Sequence, residues 1–318
     1  MIDTHAHLFF DELLGTVGEL GPNLERGRDG AATLVSGGFR YRIGPVSSLD
    51  RRPEERLEQL DAAGIDVQVV SASPLWYFSH TPAEVTSPFT RRYNDLLAEW
   101  AGADTSRLKA LATLPVQQTG LAVAELERAV SQLGMRGAVI GTDARRELDD
   151  PELDDLYAAC VDLDVPLFVH SVVNGVDGPS GDPRLHRWLG DVVLGYPFEE
   201  TIAATAILLG GVLERHPRLD LCLSHGGGAT PYLIGRIRAW ISSGAAPIGL
   251  EEFDRNFQKL WFDVHVHAEG SASLLMKTAN RDRLVLGTNF GGWDSASPAE
   301  LDGLALDVTA NALRLLRL

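Results

Sequence analysis

Six of the nine histidines in this 318-residue chain stand where short apolar runs end. His5 and His7 close the first run, two residues apart. On a strand that spacing turns both imidazoles to one side, about 7 Å apart by strand rise, close enough to share an ion once the chain bends. His170 and His225 close two later runs. His265 and His267 close another, in phase with each other and with Asp263. Neutral imidazole is a common ligand for Zn²⁺, and three protein ligands plus an open position mark a catalytic zinc. His80, His186 and His216 lie away from strand ends and read as hydrogen-bonded core or surface residues.

Eight short β-type runs must position these groups: 1–7, 67–73, 108–115, 137–142, 166–171, 219–225, 260–266 and 283–290. Several are continuously apolar, as in Leu284-Val285-Leu286, which suits strands buried on both faces of a parallel sheet. Helical patterns occupy 53–63, 121–133, 151–163, 201–216, 231–242, 271–279 and 298–318. Asp150 is the expected N-cap before Pro151, and Gly64, Gly134 and Pro217 are stop signals. The alternation predicts an α/β chain, a (β/α)8 TIM barrel forming one domain over 1–318. A doubly wound sheet would usually need fewer strands and a glycine-rich phosphate loop after the first, and neither is present. Two gaps, about 9–50 after strand one and 172–200 after strand five, are insertions at the C-terminal face, where barrel sites are built. The first contains Phe39-Arg40-Tyr41-Arg42, a short strand with both arginines on one side.

With 28 Lys+Arg against 44 Asp+Glu, the chain carries a formal charge of -16. No broad basic face is available for a nucleic-acid backbone or anionic lipid. No apolar run approaches a membrane span, and Met1 to His5 lack the charged and apolar regions of a signal peptide. Cys160 and Cys222 each lie in an apolar stretch and make neither a disulfide scaffold nor a thiolate metal site. A cytoplasmic protein is the expectation.

Asp3-Thr4-His5-Ala6-His7 resembles the HxH opening of the amidohydrolase superfamily. Leu223-Ser224-His225-Gly226-Gly227-Gly228, with Pro231-Tyr232 and Gly235-Arg236-Ile237, is similar to its aminocarboxymuconate-semialdehyde decarboxylase (ACMSD)-like branch. The resemblance implies His5, His7 and His170 as metal ligands and His225 as the acid/base group. Asp263 and His267 match strand seven of the branch, with His267 in an assisting role. It also implies Arg236 as a substrate-carboxylate ligand, in some members across a homodimer interface. The metal would be Zn²⁺, with Mn²⁺ as the alternative.

One departure matters. The branch usually ends strand eight with Gly-Ser/Thr-Asp, and this chain has Gly287-Thr288-Asn289. Asn289 can offer the ion an amide oxygen and joins both the ligand and the catalytic sets, but it cannot be a general base. Three accounts fit: a natural variant with shifted chemistry, a replacement introduced at a native aspartate, or Asp294 folding back through Gly291-Gly292 to supply the carboxylate. Arg42 or Arg40 is a second candidate carboxylate clamp, while Arg51 reads as a solvated helix-face residue. Trp76, Tyr77, Phe78 and Trp293 are candidates to line a flat pocket. The reading is a zinc-dependent lyase, first a decarboxylase of a small aromatic or muconate-like acid. Hydration on the same scaffold is the alternative, then a C–N or C–O hydrolase, against which the missing aspartate counts. A degenerate, non-catalytic barrel is opposed by the intact histidine set.

Overall fold

The computed structural model describes residues 1–43, 49, 51–298 and 307–318. The chain opens with β1 (Ile2–Leu8), buried along its length. A three-stranded antiparallel sheet follows: β2 (Asn23–Arg26), β3 (Ala32–Ser36) and β4 (Phe39–Ile43). Helices and strands then alternate. They run α1 (Pro53–Ala63), β5 (Val67–Ala72), α2 (Ala83–Ala101), β6 (Leu108–Ala110), β7 (Ala112–Thr113), α3 (Thr119–Ser131), β8 (Ala138–Gly141), α4 (Asp154–Asp162) and β9 (Leu167–His170). After these come α5 (Gly190–Val193), α6 (Gly195–Leu209), α7 (Val212–Arg215), β10 (Leu221–Leu223), α8 (Thr230–Ser242), α9 (Leu250–Phe257), β11 (Trp261–Asp263), α10 (Glu269–Thr278), β12 (Leu284–Val285) and α11 (Val308–Leu316).

The apolar runs pair as parallel strands in two sheets, β1-β5-β6 and β12-β11-β10-β9-β8-β7. Two isolated parallel bridges, Asp3 with Leu286 and Ala6 with Phe290, join β1 to the segment around β12. The predicted run 108–115 is divided at Leu111. The Leu111 N–H bonds to Val70, while the Ala112 N–H bonds to Gly137 in the other sheet.

Two helices of eight residues or more escaped the sequence reading, besides the four-residue α5. In α2 the buried positions Thr86, Phe89, Thr90, Tyr93, Leu97 and Trp100 recur every three or four residues, and Pro88 masks that stripe. The other is α9. The last predicted helix, 298–318, lies partly outside the described residues (299–306), as do residues 44–48 and 50 of the first insertion; α11 is its described end. Asp150 caps a 3-10 turn that leads into α4, accepting from the Glu152 N–H.

The predicted runs ending at His225, Val266 and Phe290 end sooner, at Leu223, Asp263 and Val285. His225, His267 and Asn289 lie beyond them with left-handed backbone (φ 49°, 56° and 50°). The expected strand phase between Asp263 and the two later histidines is therefore lost. Such backbone is costly for side chains other than glycine and concentrates at functional sites. The glycines after His225 serve a close approach: a Cβ on Gly228 would lie 2.1 Å from the Pro197 carbonyl oxygen, at φ 64°.

The β3–β4 hairpin packs on the segment after β9. The Gly38 N–H bonds to the Gly175 carbonyl, and Ser36 Oγ donates to the Leu75 carbonyl. By length and composition one stretch, Gly190–Leu209, could cross a membrane. Its inner face is committed to the protein by Glu200, which is fully buried against His225.

Candidate metal centre and active site

His5, His7 and His170 converge, with ring centroids 4.9–5.2 Å apart. Each has a hydrogen-bond acceptor at Nδ1. His5 meets the Asp263 carboxylate at 2.7 Å, His7 the Ala72 carbonyl at 3.1 Å and His170 the Ser171 carbonyl at 2.7 Å. The Ala72 and Ser171 carbonyls only accept, as does the ionised carboxylate of Asp263, so with Asp263 ionised Nδ1 carries the proton and Nε2 presents a lone pair in each ring. His5 Nε2 and His7 Nε2 then face one another at 3.3 Å with no proton between them, and His170 Nε2 is buried without a partner. Two Zn–N bonds of about 2.0–2.1 Å at a tetrahedral angle place their nitrogens about 3.4 Å apart. These residues fit a divalent ion, and the Nδ1 partners are the outer-shell bonds that orient such ligands. Burial, reinforced by the neighbouring imidazoles, holds His5 and His7 well below the usual histidine range and His170 at about 3, which keeps the lone pairs available.

Asn289 lines one cavity with His7 and His170. Its Nδ2 donates to Asp294 Oδ1 at 2.6 Å, so its Oδ1 remains as an acceptor, buried and without a partner. Asp294 does fold back, as one of the three accounts supposed, but it meets the amide of Asn289 rather than the three-histidine cluster. Its second oxygen faces His265 Nε2 at 3.2 Å and His267 Nε2 at 3.0 Å. Burial opposes ionisation of Asp294, yet the bonds to His265 and His267 hold its carboxyl well below the usual range. Asp3, fully buried, accepts from Gln68 Nε2, the Thr288 N–H and Thr288 Oγ1 at 2.7, 3.0 and 2.7 Å. It fixes the residue before Asn289 to the strand that carries His5 and His7.

His225 lies 4.9 Å, centroid to centroid, from His170. Its Nδ1 is 2.6 Å from Glu200 Oε1, and Glu200 has no solvent exposure. Burial and the nearby Asp263 push the Glu200 carboxyl well above its usual range, and burial lowers His225 to about 4. The sequence reading missed Glu200. Its signal was a charged residue on the inner face of an otherwise apolar helix.

A cavity of about 300 Å³ opens over the cluster. His7, His170 and Asn289 reach it from below. Leu34, Phe39, Tyr41 and Ile43 reach it from the antiparallel sheet, and Phe290, Trp293, Leu189 and Tyr196 from the sides. Trp293 is therefore where the sequence put it. Trp76 is not: it is fully buried, edge-on to Phe9, Phe89 and Tyr93 in the core. Tyr77 and Phe78 are buried too and outside the cavity lining. Arg42 also departs from expectation. Strand alternation turns Tyr41 inward, while Arg42 and Arg40 face solvent and pair with Asp29 and Glu25. Arg51 is exposed, as read, and also lines the cavity. Arg56 is buried beneath it, donating to Gln68 and to the His7 carbonyl and lying 4.1 Å over the Phe290 ring. Arg236 is exposed on α8 and outside the lining. His80 and His216 behave as expected, bonded to Asp143 and Asp154.

Three imidazoles, two carried within β1 and one at the end of β9, gather into a group that could hold a metal ion. The chain belongs to the amidohydrolase family, whose model (Amidohydro_2, amidohydrolase) matches residues 2–315. It is similar to 2-amino-3-carboxymuconate-6-semialdehyde decarboxylase of Dictyostelium discoideum, 29% identical over 75% of this chain and 66% of that protein. It is 30% identical to gamma-resorcylate decarboxylase of Rhizobium radiobacter, over 59% of this chain and 60% of that one. Among solved structures it superposes on 5-carboxyvanillate decarboxylase of Novosphingobium aromaticivorans, crystallised with manganese and 4-hydroxy-3-methoxy-5-nitrobenzoic acid. The TM-score is 0.75 at 20% identity, covering 85% of this chain and 81% of that chain. The relatives include these decarboxylases and, at 26% identity, a 2-keto-4-carboxy-3-hexenedioate hydratase of Sphingobium, and the His5–His7–His170 group of this chain could hold a metal ion.

Proposed function

We propose that this chain is a metal-dependent, non-oxidative decarboxylase of a small aromatic or muconate-like carboxylic acid. The observation that carries the reading is the convergence of three proton-free Nε2 atoms beneath a largely apolar cavity. The decarboxylase relatives support it. His5, His7, His170 and Asn289 Oδ1 would hold the ion. Zn²⁺ suits the nitrogen-rich set, and Mn²⁺ is the alternative. Bound there, the ion supplies Lewis acidity toward the substrate's oxygens.

The chain's own groups supply the rest. The guanidinium of Arg51 offers a carboxylate two parallel hydrogen bonds, and the rings of Phe39, Tyr41, Phe290 and Trp293 take the flat body of the substrate. When the C–CO2 bond breaks, its electron pair stays on carbon and CO2 departs. His225 Nε2 delivers the proton that forms the new C–H bond, and the Glu200–Nδ1 hydrogen bond replaces it from behind. His267 assists through Asp294.

The same reading takes the parallel strands as a closed (β/α)8 barrel forming one domain over 1–318, completed by the two bridges to β1. Insertions follow its first and fifth strands. It takes the enzyme as a cytoplasmic homodimer, supported by two buried unpaired cysteines and by exposed Phe198, Ile202, Tyr232 and Trp240 on α6 and α8. Arg236 lies on that face and would serve the neighbouring subunit's substrate. Incubating metal-loaded protein with a panel of hydroxybenzoates and carboxymuconates tests the function. CO2 release matched to substrate loss is expected. Uptake of labelled water without CO2 would instead make it a hydratase, and ammonia release a hydrolase.

A further inference from the structure

Beside the first cluster lies a second HxH pair, His265-Val266-His267, and a carboxylate. His265 Nε2 and His267 Nε2 both point at the same oxygen, Asp294 Oδ2, at 3.2 and 3.0 Å. One ligand atom from each residue lies within 4.8 Å of the others. The two rings stand edge to face with centroids 4.4 Å apart, which aims their nitrogens at a common point instead of stacking them. His267 reaches this position with left-handed backbone, φ 56°, a conformation that is costly for a non-glycine residue and concentrates at functional sites. The His265 N–H is fixed by Asp263 Oδ1 at 3.1 Å, so the pair is built as well as close.

We propose that His265, His267 and Asp294 form a second divalent-metal site, separate from the His5–His7–His170 centre. Two imidazoles and one carboxylate, with the remaining positions left to water, are a ligand set that first-row divalent ions accept. His265 is buried while the His267 side chain is 44% exposed, giving an ion an entry path and room for water ligands. Asp294 links the two sites, since its other oxygen accepts from Asn289. An ion held by Asp294 would therefore fix the amide that turns Asn289 Oδ1 toward the first centre.

Metal per chain decides the matter. Full-length protein is stripped with chelator, equilibrated with Mn²⁺, gel-filtered and counted by mass spectrometry. The variants are His267→Ala at the exposed imidazole, His265→Gln to keep buried volume, and His7→Ala at the first centre. Wild type should hold two ions with magnetic coupling between them in its EPR spectrum. His267→Ala and His265→Gln should each hold one ion fewer than wild type, and His7→Ala should keep the ion that they lose. Counts unchanged from wild type in both His267→Ala and His265→Gln overturn the second site. That result leaves the first untouched, because His7→Ala reads it independently.

Discussion

The side chain of Asn289 donates to Asp294 at 2.6 Å, and this one bond leaves its Oδ1 as the buried, unpartnered end of the amide. An aspartate at position 289 would meet a second carboxylate at that distance. Asn289→Asp should therefore destabilise the metal-free protein. Losing a charge-assisted bond and gaining repulsion costs about 2–3 kcal/mol, or about 3–5 °C in melting temperature for a chain this long. The double variant Asn289→Asp/Asp294→Asn reverses the donor and should recover most of that loss. Thermal unfolding in chelator reads both, and an Asn289→Asp protein as stable as wild type would contradict the argument.

Glu200 touches the imidazole rather than the cavity, so its removal should change turnover and not metal content. In Glu200→Gln the buried volume is kept and the proton-exchanging carboxyl at His225 Nδ1 is lost. A fall in kcat of about 10- to 100-fold is expected, with KM within about threefold, because general acid–base help is worth about 10²–10⁴ in all. His225→Gln should lose more and still retain its ion. Metal analysis beside steady-state kinetics makes the check: an ion lost from either variant would mean that ligand and proton carrier have been confused.

Removing metal should loosen the fold reversibly. An ion at a hundred times its dissociation constant adds about 2.7 kcal/mol to the folded state. Chelation should lower the melting temperature by about 4 °C, and Zn²⁺ or Mn²⁺ should restore it. The His7→Ala protein should show a smaller restoration, confined to any ion held elsewhere. Wild type indifferent to chelator would argue that the three nitrogens hold nothing.

The two arginines separate recognition from decoration. Arg51→Ala takes a guanidinium from the cavity and should raise KM for a carboxylated substrate by about 10- to 100-fold, the value of one charge-assisted pair. Arg42→Ala should leave KM unchanged. Tryptophans divide in the same way. Trp293→Ala should act on KM, whereas Trp76→Ala should cost about 3–5 kcal/mol of stability as a core truncation. Kinetics on a carboxylated substrate and denaturant titration distinguish the four.

The histidine cluster was legible because strand alternation and strand order are enough to place His5, His7 and His170. The amide of Asn289 was visible as a departure, and Asp294 was one of three ways to answer it. What stayed hidden depends on backbone off the strands. His267 turns back through a left-handed residue, so counting by twos misplaced it against Asp263. Arg51 and Arg42 lie in or beside an insertion, where only the docked sheet decides which of them faces inward. The hydrophobic pattern gave Glu200 no chemical role, and Pro88 concealed a nineteen-residue helix whose buried stripe is otherwise regular.

The antiparallel sheet over the cavity contributes Leu34, Phe39 and Tyr41 and supplies none of the imidazoles. Catalysis and selectivity are thereby written on different stretches of polypeptide. Replacing that roof can redirect the enzyme toward another acid while the floor beneath keeps its chemistry, so new preferences can arise from a few changes in one short hairpin.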